Sequence, residues 1–470
     1  MPLETDLNIS TSLLQLINSE QAYRYRIIPI KAQNGTLSFK SDVPSENLKN
    51  ELRVVLGKEI ELIHETTENM KNYLATNFRK RDTNEIEDLH YGSGFLEKLL
   101  LSAKDIGSSD IHFEPYENLC RVRFRLDGKL KEQYVISLEE YPIIVNQLKI
   151  KAGLDISEKR LPQDGRITVK KQLDEFDIRV SSLPTLYGEK IVLRILSKDA
   201  NHINLEYLGF TKRELKTYRE SIKNPNGIVL ISGPTGSGKT TTLYATLKLL
   251  NDNRTNIITI EDPIEYTLEG VNQVQLKENI GLDFASALRT FLRQDPDVIM
   301  VGEIRDVKTA NMAIRAALTG HLVLSTIHTN SAWATISRLI DMGIPAFLIA
   351  STLNVSVAQR LVRKLCNDCK EEINATKNMF PDNFQIPQDL KKLYSPVGCH
   401  NCYHTGYQER KAIYEIIPVT KTLVTHIKNN DLEIDDYIVD NNIATLKTNA
   451  IDLLKKGITS IDEVYSLLIE

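Results

Sequence analysis

The sequence predicts an α/β protein whose largest part is a parallel sheet with helices on both faces. A glycine-rich loop, 233–240, follows the apolar run 227–232 and precedes a helix-like run at 241–247. Short apolar, β-branched runs that end in polar residues recur downstream at 256–260, 297–301 and 321–326. Continuous apolar strands of this kind are typical of parallel sheets buried on both faces. Because ligands bind outside the carboxyl ends of such strands, we expect these polar ends to converge on the loop.

The loop has the spacing G-x-x-x-x-G-K-T, which is typical of a phosphate cradle. Gly233 and Gly238 tolerate backbone angles that other residues avoid, so the loop can turn its N–H groups toward an anion. Lys239 is expected to reach the β- and γ-phosphates, and the Thr240 hydroxyl to coordinate Mg²⁺. The residues predicted to bind a nucleoside triphosphate are Gly233, Pro234, Thr235, Gly236, Ser237, Gly238, Lys239, Thr240 and Thr241. The strand-loop-helix context disfavours the alternative of a turn that only caps a helix.

Length and composition indicate an ordinary folded protein with several cores. The 470 residues suggest about three domains, because single hydrophobic cores stop growing well before this length. Hydrophobic residues make up 41% of the chain and charged residues 26%, which excludes a disordered or membrane-embedded class. A net charge of −4 argues against a dominant nucleic-acid surface, so we expect no specific nucleic-acid partner.

The chain shows no sign of export or membrane insertion. Residues 1–6 have neither the basic segment nor the apolar stretch of an export signal. The longest stretches without charged residues, 316–337 and 342–359, are interrupted by His and Asn. We therefore expect no transmembrane segment and a cytoplasmic location.

Two smaller α/β units are predicted upstream of the loop. Residues 1–80 contain a helix near Leu13 to Glu20 and two strand-like runs joined by the Asn34-Gly35 turn, which is a hairpin signal. The polar segment 81–94 is a predicted linker, and a second α/β segment follows over 95–200. Nothing in residues 1–80 looks catalytic.

Basic residues of segment 95–200 fall into two sets. Three alternate arginines of one strand share a face, which we interpret as solvated: Arg121, Arg123 and Arg125. A second set is spread over short strands: Arg160, Arg166, Arg179 and Arg194. The role of the second set depends on what those strands face.

Two carboxylates follow apolar strands of the predicted parallel sheet. Hydrolysis of a γ-phosphate requires a positioned metal, an oriented water and neutralised charge. Glu303 follows the strand at 298–301 and is a candidate for the acid near Mg²⁺, and Glu265 is a candidate to deprotonate water. Either acid alone is also compatible with a helix N-cap or a surface ion pair. Arg305 lies two residues beyond Glu303, where it can pair with a carboxylate instead of nucleotide.

Two histidines bracket the next predicted strand. His321 and His328 are candidates to bind phosphate or the two acids, and a structural role is equally open.

Four of the five cysteines form two C-x-x-C pairs. The first pair is Cys366 and Cys369, and the second is Cys399 and Cys402. A 29-residue insert, 370–398, separates the two pairs. Four thiolates in a tetrahedral array suit Zn²⁺ and leave no position for a substrate, so the predicted zinc site is structural. Zinc also explains how a polar insert with little core holds its shape. A redox C-x-x-C is the alternative, disfavoured because the motif occurs twice. Cys120 has no partner and is expected to pack in a core.

Together these motifs resemble the ATPases of type II secretion and type IV pilus assembly, the traffic ATPases of the protein E type. The similar segments of the ATPase part are 233–240 (Walker A), 260–266 (Asp box), 292–306 (atypical Walker B) and 319–329 (His box). Segments 161–166 and 188–194 are similar to that family's second N-terminal domain. The resemblance runs from about residue 95 to the end of the chain.

The resemblance implies a domain organisation. It predicts a RecA-like P-loop ATPase domain at 205–470 that includes a zinc-binding subdomain at 363–405 and C-terminal helices. A PAS-like α/β domain at 95–200 precedes it and supplies arginines. Residues 1–80 then form a small module that docks a partner.

The resemblance also implies a mechanism. ATP would bind with Mg²⁺ between the second N-terminal domain and the ATPase domain of a homohexamer. Glu265 would be the catalytic base and Glu303 the Walker B acid. The arginines that would reach phosphate are Arg166, Arg179 and Arg194. The motor would act on an inner-membrane platform protein, with a cytoplasmic docking protein as a second partner, and would associate peripherally with the inner membrane through them.

Several functions remain open at this stage. The first is a motor that assembles pilin-like subunits for type II secretion, and the alternative is a type IV pilus assembly motor. A retraction motor of the same superfamily typically lacks both the four-cysteine insert and the first N-terminal module. A zinc-ribbon nucleic-acid-binding NTPase is disfavoured because acidic and amide side chains surround the cysteine pairs.

Overall fold

The structure is a computed structural model that describes residues 9–17, 19–33, 35–78, 94–171, 174–196, 203–403 and 405–469. Asn34 of the predicted turn, nearly all of the predicted linker, and residues 197–202 lie outside these ranges. The described residues group into two compact units. The first is drawn from Met1–Ser197, Cys366–Glu371 and Pro396–Gln408, and the second from Lys198–Leu365, Glu372–Ser395 and Glu409–Glu470.

The amino-terminal part of the first unit is a small α/β module. Its elements are α1 (Thr11–Leu14), α2 (Ser19–Tyr25), β1 (Ile27–Gln33), β2 (Thr36–Ser41), α3 (Glu46–Leu56), β3 (Glu59–His64) and α4 (Thr67–Asn77). Strands β1 and β2 pair antiparallel as the hairpin signal predicts, and β3 joins β2 in parallel. The predicted single helix near 13–20 is instead the two short helices α1 and α2. Helix α3 begins at an N-cap, Ser45, whose hydroxyl accepts from the Leu48 N–H.

The remainder of the first unit is built on a six-stranded sheet of order β6-β5-β4-β9-β8-β7. Its elements are α5 (Phe95–Asp105), β4 (Asp110–Pro115), β5 (Cys120–Leu126), β6 (Lys129–Ile136), α6 (Tyr141–Ala152), β7 (Gln163–Lys171), β8 (Asp174–Thr185) and β9 (Gly188–Leu196). Alternate residues of β5 are buried, and they pack with α5 and α6 in one hydrophobic core. Cys120 is one of these core residues, as expected.

The second unit contains the predicted parallel sheet. Before the insert its elements are α7 (Lys212–Ile222), β10 (Gly227–Ser232), α8 (Lys239–Leu250), β11 (Ile257–Glu261), β12 (Asn272–Gln275), α9 (Phe284–Phe291), β13 (Val298–Val301), α10 (Val307–Leu318), β14 (Leu322–Ile327), α11 (Ala334–Asp341), α12 (Ala346–Thr352) and β15 (Leu353–Leu365). Then follow β16 (Glu371–Asn374), β17 (Lys392–Ser395), β18 (Tyr407–Pro418), α13 (Lys421–Lys428), α14 (Asp435–Asp440), α15 (Leu446–Lys455) and α16 (Ile461–Ile469).

Seven strands form this sheet in the order β12-β11-β13-β14-β10-β15-β18. The pairs between β12 and β15 in this order are all parallel. Every residue of β10, β11, β13 and β14 is buried. In β10, Ile228 and Leu230 belong to one hydrophobic core, whereas Val229 and Ile231 belong to another. The α/β prediction is therefore confirmed, since alternate side chains of one strand fill cores on the two faces.

The segment between the cysteine pairs buries more apolar side chains than the sequence suggested. Phe380, Leu390 and Leu393 are at most 3% exposed and join the larger core of the second unit. The expectation that this insert has little core is therefore wrong. Burying such side chains stabilises the segment by about 1.5–3 kcal/mol each, independently of any metal.

No helix within the described ranges is long and apolar enough to cross a membrane.

Candidate active site

The phosphate loop connects β10 to α8 in the centre of the parallel sheet. All nine predicted loop residues, 233–241, lie in this connection and the first turn of α8. Gly233, Gly236 and Gly238 have φ values of +145°, +81° and +85°, a region that favours glycine. A Cβ at Gly233 would also collide with the carbonyl oxygen of Gln359, and one at Gly238 would lie 2.9 Å from the Gln359 side-chain nitrogen. Backbone angle therefore favours glycine at all three positions, and the close approach of β15 adds to this at Gly233 and Gly238.

The polar side chains of Lys239 and Ser237 in the loop are compatible with a bound anion. The Lys239 ammonium is buried and donates to the carbonyl oxygens of Gly233 at 2.8 Å and Pro234 at 3.0 Å. Burial lowers the pKa of Lys239, the charge of Glu303 opposes that effect, and the charge of Arg360 adds to it. Among the described residues, the buried Ser237 hydroxyl has no hydrogen-bond partner. A phosphate group would supply an acceptor to both side chains, so these residues fit a bound nucleotide.

Glu303 lies just beyond the end of β13. Its side chain is 16% exposed and pairs with Arg305 through one oxygen, while the other oxygen lies 3.4 Å from His328 Nε2. The Ile304 N–H donates to the Thr326 carbonyl at 2.9 Å, and this bond holds the turn against the neighbouring strand β14. Arg305 thus pairs with a carboxylate, which was one of the two expectations for it.

Glu265 follows β11, the strand that pairs with β13. The two candidate acids therefore leave neighbouring parallel strands at the same edge of the sheet. Thr240 stands in the first turn of α8 with an exposed side chain, available to a cation at the mouth of the loop. Carboxylate and hydroxyl oxygens are ligands that Mg²⁺ prefers, so the donor set fits this metal.

The two predicted histidines lie at opposite ends of β14. His328 follows the strand and reaches Glu303. His321 precedes the strand, and its Nδ1 lies 2.8 Å from the Ala316 carbonyl and 3.1 Å from the Thr319 hydroxyl at the end of α10. Because β14 runs parallel to β10, His321 sits at the edge of the sheet opposite the phosphate loop. Of the two histidines, the structure thus brings His328 to Glu303, while His321 contacts the end of α10.

The predicted phosphate arginines form one row in the first unit. Arg166, Arg179 and Arg194 lie directly opposite one another on β7, β8 and β9. The same row continues through Asp110 on β4 to Arg125 on β5. Arg194 and Arg125 contact the two oxygens of Asp110 at 3.0 and 3.2 Å, and Arg166 pairs with Asp177. The Arg166 and Arg194 side chains remain 64% and 57% exposed.

The arginines of β5 do not form a simple solvated face. Arg121 and Arg123 both donate to the buried carboxylate of Glu114, at 3.1 and 2.8 Å, and Lys190 lies 2.9 Å from it. Burial works to raise the pKa of Glu114, but these cations outweigh it and lower that pKa to about 2. The solvated interpretation is therefore wrong. The alternation of Asp110, His112 and Glu114 on the adjacent strand was the signal that could have revealed the ion pairs.

The four predicted zinc ligands lie together in the first unit. Their four sulfur atoms lie within 4.8 Å of one another, and three pairs are separated by 3.7–3.8 Å. A tetrahedral site with Zn–S bonds of about 2.3 Å has S–S edges of about 3.8 Å, so the spacing fits zinc. Backbone N–H groups of Gly398 and Gly406 point at the sulfurs of Cys369 and Cys402, at 3.3 Å in both cases. Such contacts stabilise thiolates and fix their orientation.

Sequence reasoning missed Gln359 on β15. Its side-chain oxygen accepts from the Thr242 hydroxyl of α8 at 2.8 Å, and the residue is 2% exposed. It therefore lies against the loop on the side opposite β14. No sequence signal pointed to it, because the pairing of β15 with β10 spans more than a hundred residues.

Comparison with known proteins identifies the family of this chain. Residues 85–466 match the protein family described as Type II/IV secretion system protein. The type IV pilus assembly ATPase PilB of Pseudomonas aeruginosa is 48% identical over 377 residues, which is 79% of this chain and 66% of the relative. The chain thus spans slightly less than two thirds of that relative's length. PilB of Myxococcus xanthus is 39% identical over 492 aligned positions, covering 98% of this chain and 87% of the relative.

Two further similarities come from a secretion protein and a solved structure. The type II secretion system ATPase E of Vibrio cholerae is 44% identical over 360 residues, 76% of this chain and 71% of the relative. The crystal structure of the pilus retraction motor PilT with bound ADP has a TM-score of 0.53 and 25% identity, and the match covers 81% of this chain and 97% of PilT. With a family match over most of its length and a relative aligned over nearly all of it, the chain belongs to the type II/IV secretion system protein family.

Proposed function

We propose that this chain is an ATP-hydrolysing motor that drives the assembly of pilin-like subunits for type II protein secretion. One observation carries the proposal. A glycine loop with a buried lysine, Lys239, lies in the same parallel sheet as two strand-end carboxylates, Glu265 and Glu303. This arrangement suits phosphoryl transfer to water, where positioning and charge stabilisation supply most of the catalysis.

Each residue has a role in the proposed reaction. Lys239 exchanges its loop carbonyls for the β- and γ-phosphate oxygens, and Thr240 and Glu303 hold Mg²⁺ at the loop mouth. Bound Mg²⁺ supplies Lewis-acid stabilisation of the phosphate charge. Glu265 orients the attacking water and takes its proton. His328 steadies Glu303, which it approaches at 3.4 Å.

The arginine row supplies the remaining positive charge in this proposal. Arg166 and Arg194 are paired with carboxylates yet largely exposed, so phosphate can compete for them. Together with Arg179 they would approach the nucleotide of a homohexamer, either from their own subunit or from a neighbour. Zinc held by the four cysteines would stabilise the fold locally without taking part in the reaction.

The proposed partners are an inner-membrane platform protein and a cytoplasmic docking protein. Through them the motor would associate peripherally with the inner membrane while remaining cytoplasmic. The small amino-terminal module is the proposed docking part. Two relatives, a type IV pilus assembly ATPase and a type II secretion system ATPase, support a role in a machine of this kind.

Type IV pilus assembly is the second candidate. It is favoured by the Myxococcus xanthus pilus assembly ATPase, whose alignment covers 98% of this chain and so includes the amino-terminal module. A retraction motor is less well supported, because this chain carries the cysteine cluster and the amino-terminal module that such motors typically lack.

One experiment in the cell separates these candidates. Lys239→Ala is introduced on the chromosome, and secreted proteins are compared with surface fibres. Loss of secreted proteins with intact fibres selects type II secretion, and the reverse selects pilus assembly. Purified protein whose ATPase activity is absent without DNA would instead indicate a nucleic-acid-dependent enzyme and contradict both.

A further inference from the structure

The candidate base Glu265 lies in a segment without regular secondary structure. This Glu265 segment, residues 262–271, joins β11 to β12. A general base must stand within hydrogen-bond reach of its proton, and a misplacement of about 1 Å costs on the order of 10²-fold in rate. Outside helices and strands, side-chain contacts contribute to the position of such a segment.

The buried hydroxyl of Tyr244 contacts the backbone of the Glu265 segment. Tyr244 belongs to α8, the helix that begins at Lys239 of the phosphate loop, and its side chain is fully buried. Its hydroxyl oxygen accepts from the Glu265 backbone N–H at 3.2 Å and, more weakly, from the Tyr266 N–H at 3.5 Å. The Tyr266 ring packs edge-on against the Tyr244 ring, with centroids 5.6 Å apart.

The Tyr244 hydroxyl is itself oriented by a buried carboxylate. It donates to one oxygen of Glu261, the last residue of β11, which is 2% exposed. The other oxygen of Glu261 accepts from Thr259 at 2.6 Å and from Gln273 at 3.0 Å. Because the phenol proton points at Glu261, the lone pairs of the oxygen face the Glu265 N–H.

The far side of the segment is tied to β12. The Gln273 amide donates to the Tyr266 carbonyl at 2.9 Å and accepts from the Leu268 N–H at 2.8 Å. Gln275 accepts from the Ile264 N–H at 3.0 Å. The segment is therefore held from two sides, by strand β12 and by the helix of the phosphate loop.

We propose that Tyr244 is a positioning residue for hydrolysis: its hydroxyl, oriented by Glu261, couples the phosphate-loop helix to the backbone of the catalytic base Glu265. The position of the base backbone then depends on the position of α8 through this hydroxyl. Burial, followed by the charge of Glu261, raises the pKa of Tyr244, so the hydroxyl keeps its proton at neutral pH. The inference rests on the proposed ATPase function and on Glu265 as base.

The test compares two fully buried tyrosines, Tyr244 on α8 and Tyr218 on α7, whose hydroxyl contacts α8. Tyr244→Phe removes the hydroxyl and keeps the ring against Tyr266. Tyr218→Phe is the matched control, because Tyr218 is fully buried and its hydroxyl contacts Thr246 of α8 at 2.7 Å, away from the Glu265 segment. Both variants are measured for thermal unfolding, nucleotide affinity and steady-state turnover of the full chain.

We expect Tyr244→Phe to lower kcat by about tenfold or more, because the base loses its fixed position. Nucleotide affinity should match the parent, and the loss of thermal stability should match that of Tyr218→Phe. A purely structural role would move stability alone and leave kcat unchanged. Equal kcat values for the two variants, whether both intact or both reduced, would overturn the proposal.

A double-mutant comparison isolates the path of action. In a Glu265→Gln background the position of the base no longer matters, so Tyr244→Phe should leave the residual single-turnover rate unchanged. The same fold loss in both backgrounds would show that Tyr244 acts by another route and would refute the coupling. If the parent protein does not hydrolyse ATP at all, the proposed function fails. If it does and Tyr244→Phe matches the parent, only the positioning role fails.

Discussion

Separate replacement of Lys239 and Glu265 should distinguish the residue that binds nucleotide from the residue that promotes hydrolysis. Lys239 donates to two loop carbonyls at 2.8 and 3.0 Å, and nucleotide binding exchanges these bonds for charge-assisted bonds to phosphate. Bonds to charged groups contribute about 1.5–3 kcal/mol, and the exchange of existing bonds favours the lower half of that range. At 1.4 kcal/mol per factor of ten, Lys239→Ala should weaken ATP binding roughly 12- to 40-fold.

Glu265→Gln should act on the other step. The amide keeps the shape of the side chain but cannot accept the proton of the attacking water. General-base catalysis contributes about 10²- to 10⁴-fold, so kcat should fall by that factor while nucleotide affinity stays at the parental value. The pattern of the two variants is therefore opposite: one loses affinity, and the other loses turnover.

The assay is a fluorescent-nucleotide titration together with phosphate release under saturating ATP. Lys248→Ala is a matched control for Lys239→Ala, because Lys248 lies in the last turn of the same helix and is exposed. Thermal unfolding checks that all variants fold. A Glu265→Gln protein that hydrolyses ATP at the parental rate would refute the base assignment. A Lys239→Ala protein with parental affinity would refute the phosphate-cradle assignment.

Three further predictions concern the zinc site, the arginine row and the Glu114 cluster. Purified protein should contain one zinc per chain by elemental analysis, and Cys399→Ser should lose it with local order; a folded parent without zinc would contradict the site. At limiting ATP, Lys239→Ala and Arg179→Ala chains should each hydrolyse ATP slowly when alone and should recover activity when mixed in the proposed hexamer, whereas no recovery would place Arg179 in cis. Glu114→Gln should destabilise the protein by about 3 kcal/mol near neutral pH, because it removes the buried counter-charge of three partly buried cations, Arg121, Arg123 and Lys190. Since the folded pKa of Glu114 is lowered to about 2, the difference in unfolding free energy should shrink between about pH 4.3 and pH 2, and a constant difference in denaturant titrations would contradict the ion-pair explanation.

The parallel sheet and its loop were predictable because their signals are local. A strand buried on both faces must be apolar along its whole length, and β10, β11, β13 and β14 all read this way. The loop geometry follows from glycine positions within eight residues, 233–240. The spacing within each C-x-x-C pair likewise predicts a cluster of thiols, and the structure places the two pairs together.

Partners from distant parts of the chain were not predictable. The arginines of β5 were interpreted as solvated because the period of two shows which residues share a face, but not which charges the neighbouring strand presents. Glu114 lies opposite Arg121 only through the register of β4 and β5. In the same way, the sequence of the insert does not show that its apolar residues pack into the core of the second unit.

The sequence by itself thus determined the fold class, the glycine-rich loop and the two C-x-x-C pairs, since each of these signals lies within short segments. Only the tertiary structure decided that His321 lies at the edge opposite the phosphate loop while His328 reaches Glu303. It also decided that Tyr244, an apparently ordinary helical residue, contacts the backbone of Glu265. These contacts join residues that are distant in sequence, and strand order and register, which a single sequence does not encode locally, set which side chains meet.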